Sequence, residues 1–191
     1  MSNPSASTTV NQLEQLRAAM RKAGVDACLI PSADPHLSEY LPAYWQVRAW
    51  LTPFTGSVGT VVVTQDFAGV WVDSRYWVQA ETELAGSEFQ LMKIGTAADA
   101  AHTVWLAQHI REHGIVAVDG RALGLAAREV LKGLFAEKNI HLELGLDLPG
   151  QCWLDRPALP ATPVRELALE YAGESRAQKF ARVRQVMKEQ G

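Results

Sequence analysis

Residues 50–79, with the sequence WLTPFTGSVGTVVVTQDFAGVWVDSRYWVQ, decide the fold because they contain three structural signals in direct succession. The run at 50–54 is short and apolar and ends at a turn, and 59–64 is rich in β-branched residues, which favour a strand. A second strand is predicted at 67–72, after a polar break. The two strands predict a β-hairpin, on which the rest of the domain is built.

The second strand leads directly into a predicted helix, and Arg75 stands at the corner between them. Asp73 and Ser74 are both residue types that cap helix N-termini, and apolar residues then recur at helical spacing. A guanidinium just past a strand end presents fixed hydrogen-bond donors to molecules outside the domain. Arg75 is therefore a candidate binding residue. The alternative is a structural role, in which Arg75 pairs with Asp73 or Glu39.

The rest of the chain alternates helix and strand signals. Helices are predicted at 11–23, 98–113 and 123–138, and further strands at 26–30, 89–94, 115–119 and 140–144. This alternation with one antiparallel hairpin predicts an α/β fold, a mixed β-sheet covered by helices and not a purely parallel one. Residues 1–10 are polar and are expected to form a disordered leader.

A change of composition predicts where this domain ends. Closely spaced prolines begin at Pro149 and exclude a continuous helix or a central strand. We assign residues 11–157 to the domain, 158–174 to a linker, and 175–191 to the first helix of a truncated second domain. That last helix has an apolar face without a partner in the sequence, and an isolated helix of this length is marginal in water. We therefore expect the chain to be cut from a longer one.

Composition excludes several classes of protein. Of 191 residues, 48% are hydrophobic and 20% charged, which is typical of a soluble globular chain. A formal net charge of -3 provides no basic surface for nucleic acid or for an anionic membrane, and no segment is long and apolar enough to span a bilayer. Cys28 and Cys152 lie in apolar surroundings, which predicts buried thiols in a reducing cytoplasm and no disulfide.

The most conspicuous catalytic motif is the H-x-x-E-H pattern of inverted zinc peptidases, formed by His109-Ile110-Arg111-Glu112-His113. We interpret it as a surface helix with incidental histidines. A zinc site needs a third protein ligand that the motif does not supply, and His113 falls in the predicted last helical turn, where an imidazole favours the helix dipole. No other cluster has metal-ligand spacing, so the residues alone predict neither a metal site nor a catalytic set.

Four segments, in this order, resemble the N-terminal creatinase/prolidase-type domain of Xaa-Pro aminopeptidase, also called aminopeptidase P, in its cytosolic three-domain form. They are IPSADPHLSEY at 30–40, RAWLTPFTGSVGT at 48–60, WVDSRY at 71–76 and WLDRP at 153–157. The resemblance implies a ribonuclease H-like mixed sheet, a second domain of similar fold, and a third, catalytic domain with two divalent metal ions, typically manganese. Such an enzyme removes the N-terminal residue from peptides that have proline in second position.

The resemblance also implies what residues 1–191 contribute. They would hold no catalytic residue, metal ligand or cofactor, would be inactive alone, and would shape the substrate entrance. The arginine implicated in peptide binding in the Trp-x-Asp-x-Arg-Tyr segment is Arg75 here, and Arg48 and His36 are weaker candidates for substrate binding. The implied partners are the second and catalytic domains of the same chain, a peptide substrate and a second copy in a homodimer, all in the cytoplasm.

Three alternatives stay open. The same fold occurs as a peptide- or histone-binding module of a chromatin chaperone, which would carry acidic tracts that this sequence lacks. It also occurs in creatinase and prolidase, but the WLDRP segment favours the aminopeptidase. A stand-alone interaction module is the third alternative, and it would leave the apolar face of the last helix unexplained.

Overall fold

The structure is a computed structural model in which residues 6–96 and 100–191 are described. The chain divides into two compact units, Met1–Leu159 and Pro160–Gly191. The helices are α1 (Ala6–Ala23), α2 (Val47–Leu51), α3 (Trp77–Glu83), α4 (Ala101–His109), α5 (Leu125–Phe135), α6 (Leu148–Cys152), α7 (Leu169–Ala172) and α8 (Arg176–Gln190). The strands are β1 (Ala27–Ile30), β2 (Thr60–Val63), β3 (Ala68–Val72), β4 (Gln90–Lys93), β5 (Ile115–Ala117) and β6 (His141–Glu143).

The first unit is built on one six-stranded sheet with the order β4-β3-β2-β1-β5-β6. Strand β2 is antiparallel to both of its neighbours, β1 and β3, and all other pairs are parallel. In the hairpin, Thr60 pairs with Trp71 and Val63 with Ala68. The prediction of a mixed sheet with an antiparallel hairpin is confirmed.

Helices cover the sheet on both faces because successive side chains of a strand point to opposite sides. In β2, Val61 and Val63 belong to one hydrophobic cluster and Val62 to the other, and all three are fully buried. Helices α1, α2, α3 and α6 contribute to the first cluster, whereas α4 and α5 contribute to the second. The run of valines is continuous because both faces of the strand are buried.

Helix α1 begins at Ala6, inside the range 1–10 that we predicted as a leader, and residues 1–5 lie outside the described part of the chain. Leu13, Leu16 and Met20 form its fully buried stripe. The helix ends before Gly24, whose φ of +67° is the left-handed conformation that glycine adopts without strain.

Two segments without a helical pattern in the sequence contain short helices. A 3-10 helix forms at Ala43–Trp45 and is followed by α2, in which Val47 and Leu51 lie four positions apart and both reach the core. Pro149 lies in the first turn of α6, where its missing N–H costs no helical hydrogen bond, and Asp147 accepts from the N–H of Gly150. Helix α7 lies within the predicted linker 158–174; the predicted domain boundaries themselves stay predictions.

The predicted helix at 98–113 is shorter than expected. Its predicted start at Ala98 lies outside the described residues, and α4 ends at His109 because Ile110 has extended backbone angles. His113 therefore does not lie in a last helical turn. It has a φ of +57°, so our argument that its imidazole favours the helix dipole was wrong.

Both cysteines are free thiols. The predicted burial is confirmed for Cys28 but was wrong for Cys152, which is half-buried. Burial raises the pKa of the Cys28 thiol to about 12, so it stays neutral. Within 6–96 and 100–191, no helix combines the length and apolar character needed to cross a membrane.

In the second unit, α8 confirms the predicted amphipathic helix. Ser175 caps it through a reciprocal capping box with Gln178. The apolar side chains of α8 are exposed within this structure, with exposed fractions between 50% and 65% for Phe180, Val183, Val186 and Met187.

Candidate functional site

The sheet topology brings the candidate segments to one edge. Strands β1, β3 and β5 run in the same direction and therefore end at the same side, where antiparallel β2 begins. The loop after β1 carries His36, the corner after β3 carries Arg75, and the segment before β2 carries Thr55 to Ser57. In α/β sheets, ligands bind outside the carboxyl ends of the strands. This edge is the candidate functional site.

Arg75 is exposed, and Asp73 holds it in place. The Asp73 side chain is 3% exposed, and its oxygens accept from the Arg75 main-chain N–H at 3.1 Å, from Nε at 2.9 Å and from Nη2 at 2.8 Å. Hydrogen bonds from Arg75 lower the pKa of Asp73, and the ion pair raises that of Arg75. Because Asp73 makes these bonds, it does not cap α3, whose N-cap is Tyr76 without a side-chain bond. Our expectation of a cap at Asp73 or Ser74 was wrong.

The pairing with Asp73 leaves part of the Arg75 guanidinium available. Two of its five N–H groups are used by the carboxylate, and the side chain is 61% exposed. A buried carboxylate that accepts hydrogen bonds from one side of a guanidinium fixes the direction in which the remaining N–H groups point. The arrangement is a preoriented donor for a carbonyl or carboxylate oxygen.

Arg48, in contrast, is buried and serves the loop before β2. It is 7% exposed, and its Nε donates to Ser32 Oγ at 3.0 Å, its Nη1 to the carbonyl of Phe54 at 2.8 Å, and its Nη2 to the carbonyl of Gly56. Burial lowers the pKa of Arg48 to about 10. Arg48 also lines a cleft of about 230 Å³ at the same sheet edge.

Ser57 and Tyr76 connect the surroundings of the two arginines. Their side-chain oxygens are 2.6 Å apart. Ser57 lines the cleft, while the Tyr76 ring centroid lies 5.3 Å from the guanidinium carbon of Arg75. The fold thus brings Arg48 and Arg75 to neighbouring positions. His36 lies on the loop after β1, is exposed, and does not line this cleft.

The loop that carries His36 is organised by Asp34. Asp34 is 2% exposed, and its Oδ1 accepts from the N–H groups of His36 at 2.9 Å and Ser38 at 3.0 Å. Between them, Leu37 has a φ of +53°, which is rare for a residue other than glycine. Hydrogen bonds from Ser38, and then from His36, lower the pKa of Asp34.

Asp34→Asn is expected to lower the free energy of unfolding by about 1 kcal/mol at pH 7, because a neutral amide accepts these N–H groups less strongly. Since the pKa of Asp34 is lower in the folded than in the unfolded chain, its contribution is present above about pH 4 and is lost as the pH falls further. The free energy of unfolding, measured with urea between about pH 7 and 2.5, should therefore fall less steeply toward low pH for the variant than for the wild type. Glu39→Gln, in the same loop but exposed, is the control; an equally shallow fall in that variant would remove Asp34 as the cause.

His109 of the H-x-x-E-H motif packs against an aromatic side chain. Its ring stacks on Trp105 with a centroid distance of 4.2 Å, and its Nδ1 lies 2.8 Å from the Trp105 carbonyl oxygen. Trp105 stacks in turn on Phe67. In the described ranges, no group of three His, Cys, Asp or Glu residues is placed to hold a metal ion.

Sequence reasoning missed several residues that shape this edge. Glu83 of α3 accepts from both the N–H and the Oγ1 of Thr55, at 2.7 and 2.5 Å, and so fixes the turn before β2. Neither this pairing nor the bond between Ser57 and Tyr76 has a local signal, because the partners are far apart in sequence. The sequence indicated two roles for Asp73, as a pairing partner of Arg75 and as a helix cap, and no local pattern distinguished between them.

The fold and this edge define an α/β domain with an oriented arginine after β3. The chain belongs to the Creatinase/Prolidase N-terminal domain family, whose model matches residues 12–143. Among its relatives, "Aminopeptidase P2" of Arabidopsis thaliana is 37% identical over 88% of this chain and 24% of its own length. "Xaa-Pro aminopeptidase 2" of Rattus norvegicus is 32% identical over 95% of this chain and 27% of its own length. The chain thus spans about a quarter of the length of these relatives.

A solved structure extends the likeness to three dimensions. The X-prolyl aminopeptidase of Caenorhabditis elegans, described as a cytosolic enzyme with a di-nuclear active site, superposes with a TM-score of 0.83. It is 28% identical and covers 96% of this chain, which in turn covers 32% of that protein. The resemblance to Xaa-Pro aminopeptidases stated from the sequence motifs is therefore confirmed.

Proposed function

We propose that this chain acts as the N-terminal domain of an Xaa-Pro aminopeptidase and that Arg75 binds the peptide substrate at the entrance to a catalytic domain elsewhere in the full-length protein. The observation that carries the first part is the match to such enzymes over nearly the whole chain and only about a quarter of theirs. The second part rests on the preoriented, exposed guanidinium at the carboxyl edge of the sheet.

The chemistry of the full-length protein is part of the same proposal. By likeness to the di-nuclear C. elegans enzyme, the catalytic domain of the full-length protein would bind two divalent metal ions, which we propose to be manganese. These ions would activate water for attack on the bond before proline. The residues described here do not fit such a centre, because they include no cluster of three suitable ligands. The role of this chain is then to orient the peptide. A cytosolic location and a homodimer are further proposals from the same family likeness.

Arg75→Ala in the full-length protein is expected to lower kcat/KM for Xaa-Pro peptides by roughly 10- to 100-fold, because a charge-assisted hydrogen bond to the peptide is lost. Steady-state kinetics on the same purified protein provide the measurement. Arg75→Lys should recover only part of the loss, since an ammonium cannot both pair with Asp73 and donate outward in the same geometry.

Arg111 offers a matched control for this experiment. It is 65% exposed and pairs with Asp26 through Nε and Nη2, just as Arg75 pairs with Asp73, but it lies before β5, at the opposite edge of the sheet. Arg111→Ala should leave kcat/KM within about twofold of the wild type. Equal losses for the two variants would mean that general destabilisation, and not peptide contact, explains the effect; unchanged kinetics in Arg75→Ala would reject the role of Arg75.

A further inference from the structure

The cleft beside Arg48 contains a buried charge without an opposite charge in contact. Arg48 donates to three neutral oxygens, of Ser32, Phe54 and Gly56. Among the described residues, it forms no ion pair with a carboxylate. Buried charges in proteins are normally paired, because an unpaired one is costly to remove from water. The lowered pKa of Arg48 has desolvation by burial as its main cause, in agreement with that geometry.

The two nearby carboxylates, Glu83 and Glu39, do not form an ion pair with Arg48. Glu83 influences Arg48 electrostatically but forms no ion pair with it, and both of its carboxylate oxygens accept hydrogen bonds from Thr55. Glu39 lines the cleft but is exposed. The three hydrogen bonds of Arg48 use three of its five N–H groups. The lining of the cleft therefore includes a positively charged residue, and two N–H groups of Arg48 are not engaged in those three bonds.

We propose that this cleft binds the terminal carboxylate of a peptide whose last residue is apolar. Its volume of about 230 Å³ lies below the roughly 300–1,000 Å³ of pockets for drug-sized ligands, which fits one terminal residue. Leu41, Trp45 and the 83%-exposed Tyr40 provide an apolar wall for the side chain. Glu39 disfavours a doubly charged phosphate more than a singly charged carboxylate. Arg75 is not among the residues that line this cleft, and the test below does not depend on peptidase activity.

The test is a titration of the ¹⁵N-labelled chain, followed through the amide signals of residues around the cleft. The probes are N-acetyl-Ala-Leu as the free acid, the same dipeptide as the C-terminal amide, and acetate. The free acid should bind with a Kd in the millimolar range or tighter, and the amide at least about tenfold more weakly. Acetate should bind more weakly than the dipeptide acid, because it has no side chain to contact the apolar wall; acetate binding as tightly as the dipeptide acid would overturn the peptide as the occupant.

Two variants test the location without removing Arg48. Ala49→Phe places a ring in the cleft from the α2 side and should abolish binding, whereas Glu39→Gln removes the repulsive charge and should tighten binding by about three- to tenfold. Val78→Phe, which adds a ring at a 78%-exposed position of α3 outside the cleft, is the matched control and should bind like the wild type. Equal binding of acid and amide, no saturation by about 20 mM, or unchanged affinity in Ala49→Phe would overturn the proposal.

Discussion

Replacing Phe54 with alanine is expected to lower the free energy of unfolding by about 3–5 kcal/mol, because the ring is fully buried and its removal leaves a cavity that the surroundings fill only in part. Phe54 packs edge-on against Tyr76, with ring centroids 5.9 Å apart, and the Arg48 guanidinium lies 4.9 Å from its centroid. The side chain thus joins the core to the candidate site. Equilibrium urea unfolding of wild type and variant gives the difference directly.

Phe67→Ala is the matched control for that experiment. Phe67 is half-buried at the other end of the hairpin and stacks on Trp105 at 4.3 Å. It should cost about 1–2 kcal/mol, since part of its surface is already in water. Equal costs for the two variants would contradict the structure, because Phe54 would then contribute no more than a ring at the surface.

The fold was predictable where one local pattern coincided with the tertiary environment. The valines of β2 are β-branched and lie in a strand buried on both faces, so propensity and burial agree. The buried stripe of α1 is likewise a local signal that the structure retains. In each case the residues that carry the signal lie within a few positions of one another.

The errors arose where two local signals competed. Asp73 can cap a helix or form a short-range bond to the residue two positions on, and the pairing with the Arg75 side chain favoured the second. The five-residue helix α2 has too few positions to show a period. It forms because Val47 and Leu51 reach the core, which depends on the fold of the whole unit.

In the candidate site, too, one residue is recognisable from a local pattern and another only from the tertiary fold. Arg75 was recognisable because a residue just past a strand end lies at the sheet edge in any α/β fold. The environment of Arg48 was not, since Ser32, Phe54 and Gly56 meet its guanidinium only after β1, α2 and the turn before β2 have assembled. The sequence alone does not distinguish a buried arginine from an exposed one. Burial decides the role, because a buried arginine such as Arg48 organises loops, whereas an exposed one such as Arg75 is able to contact a peptide.

Arg48→Met is expected to lower the free energy of unfolding by about 2–3 kcal/mol, the net of two opposed effects. Loss of the guanidinium leaves the carbonyls of Phe54 and Gly56 without their donor in a buried position, at about 1–3 kcal/mol each. Against this, methionine removes a buried charge whose desolvation is not offset by a carboxylate. We expect the hydrogen bonds to dominate because a single side chain fixes three oxygens, one on the loop after β1 and two on the segment before β2. Urea unfolding is again the measurement.

Arg21→Met provides the control, because Arg21 is an exposed arginine of α1 that bonds only the amide oxygen of Gln65 at 2.7 Å among the described contacts. Its cost should stay within about 0.5 kcal/mol. Arg48→Lys should fall between wild type and Arg48→Met, since an ammonium retains the charge but cannot span the three acceptors. A methionine variant as stable as the wild type would show that relief of the desolvation cost fully offsets the loss of the hydrogen bonds. Arg48 would then be a charge that folding does not require, and its place in the lining of the cleft would call for a ligand as the reason to keep it.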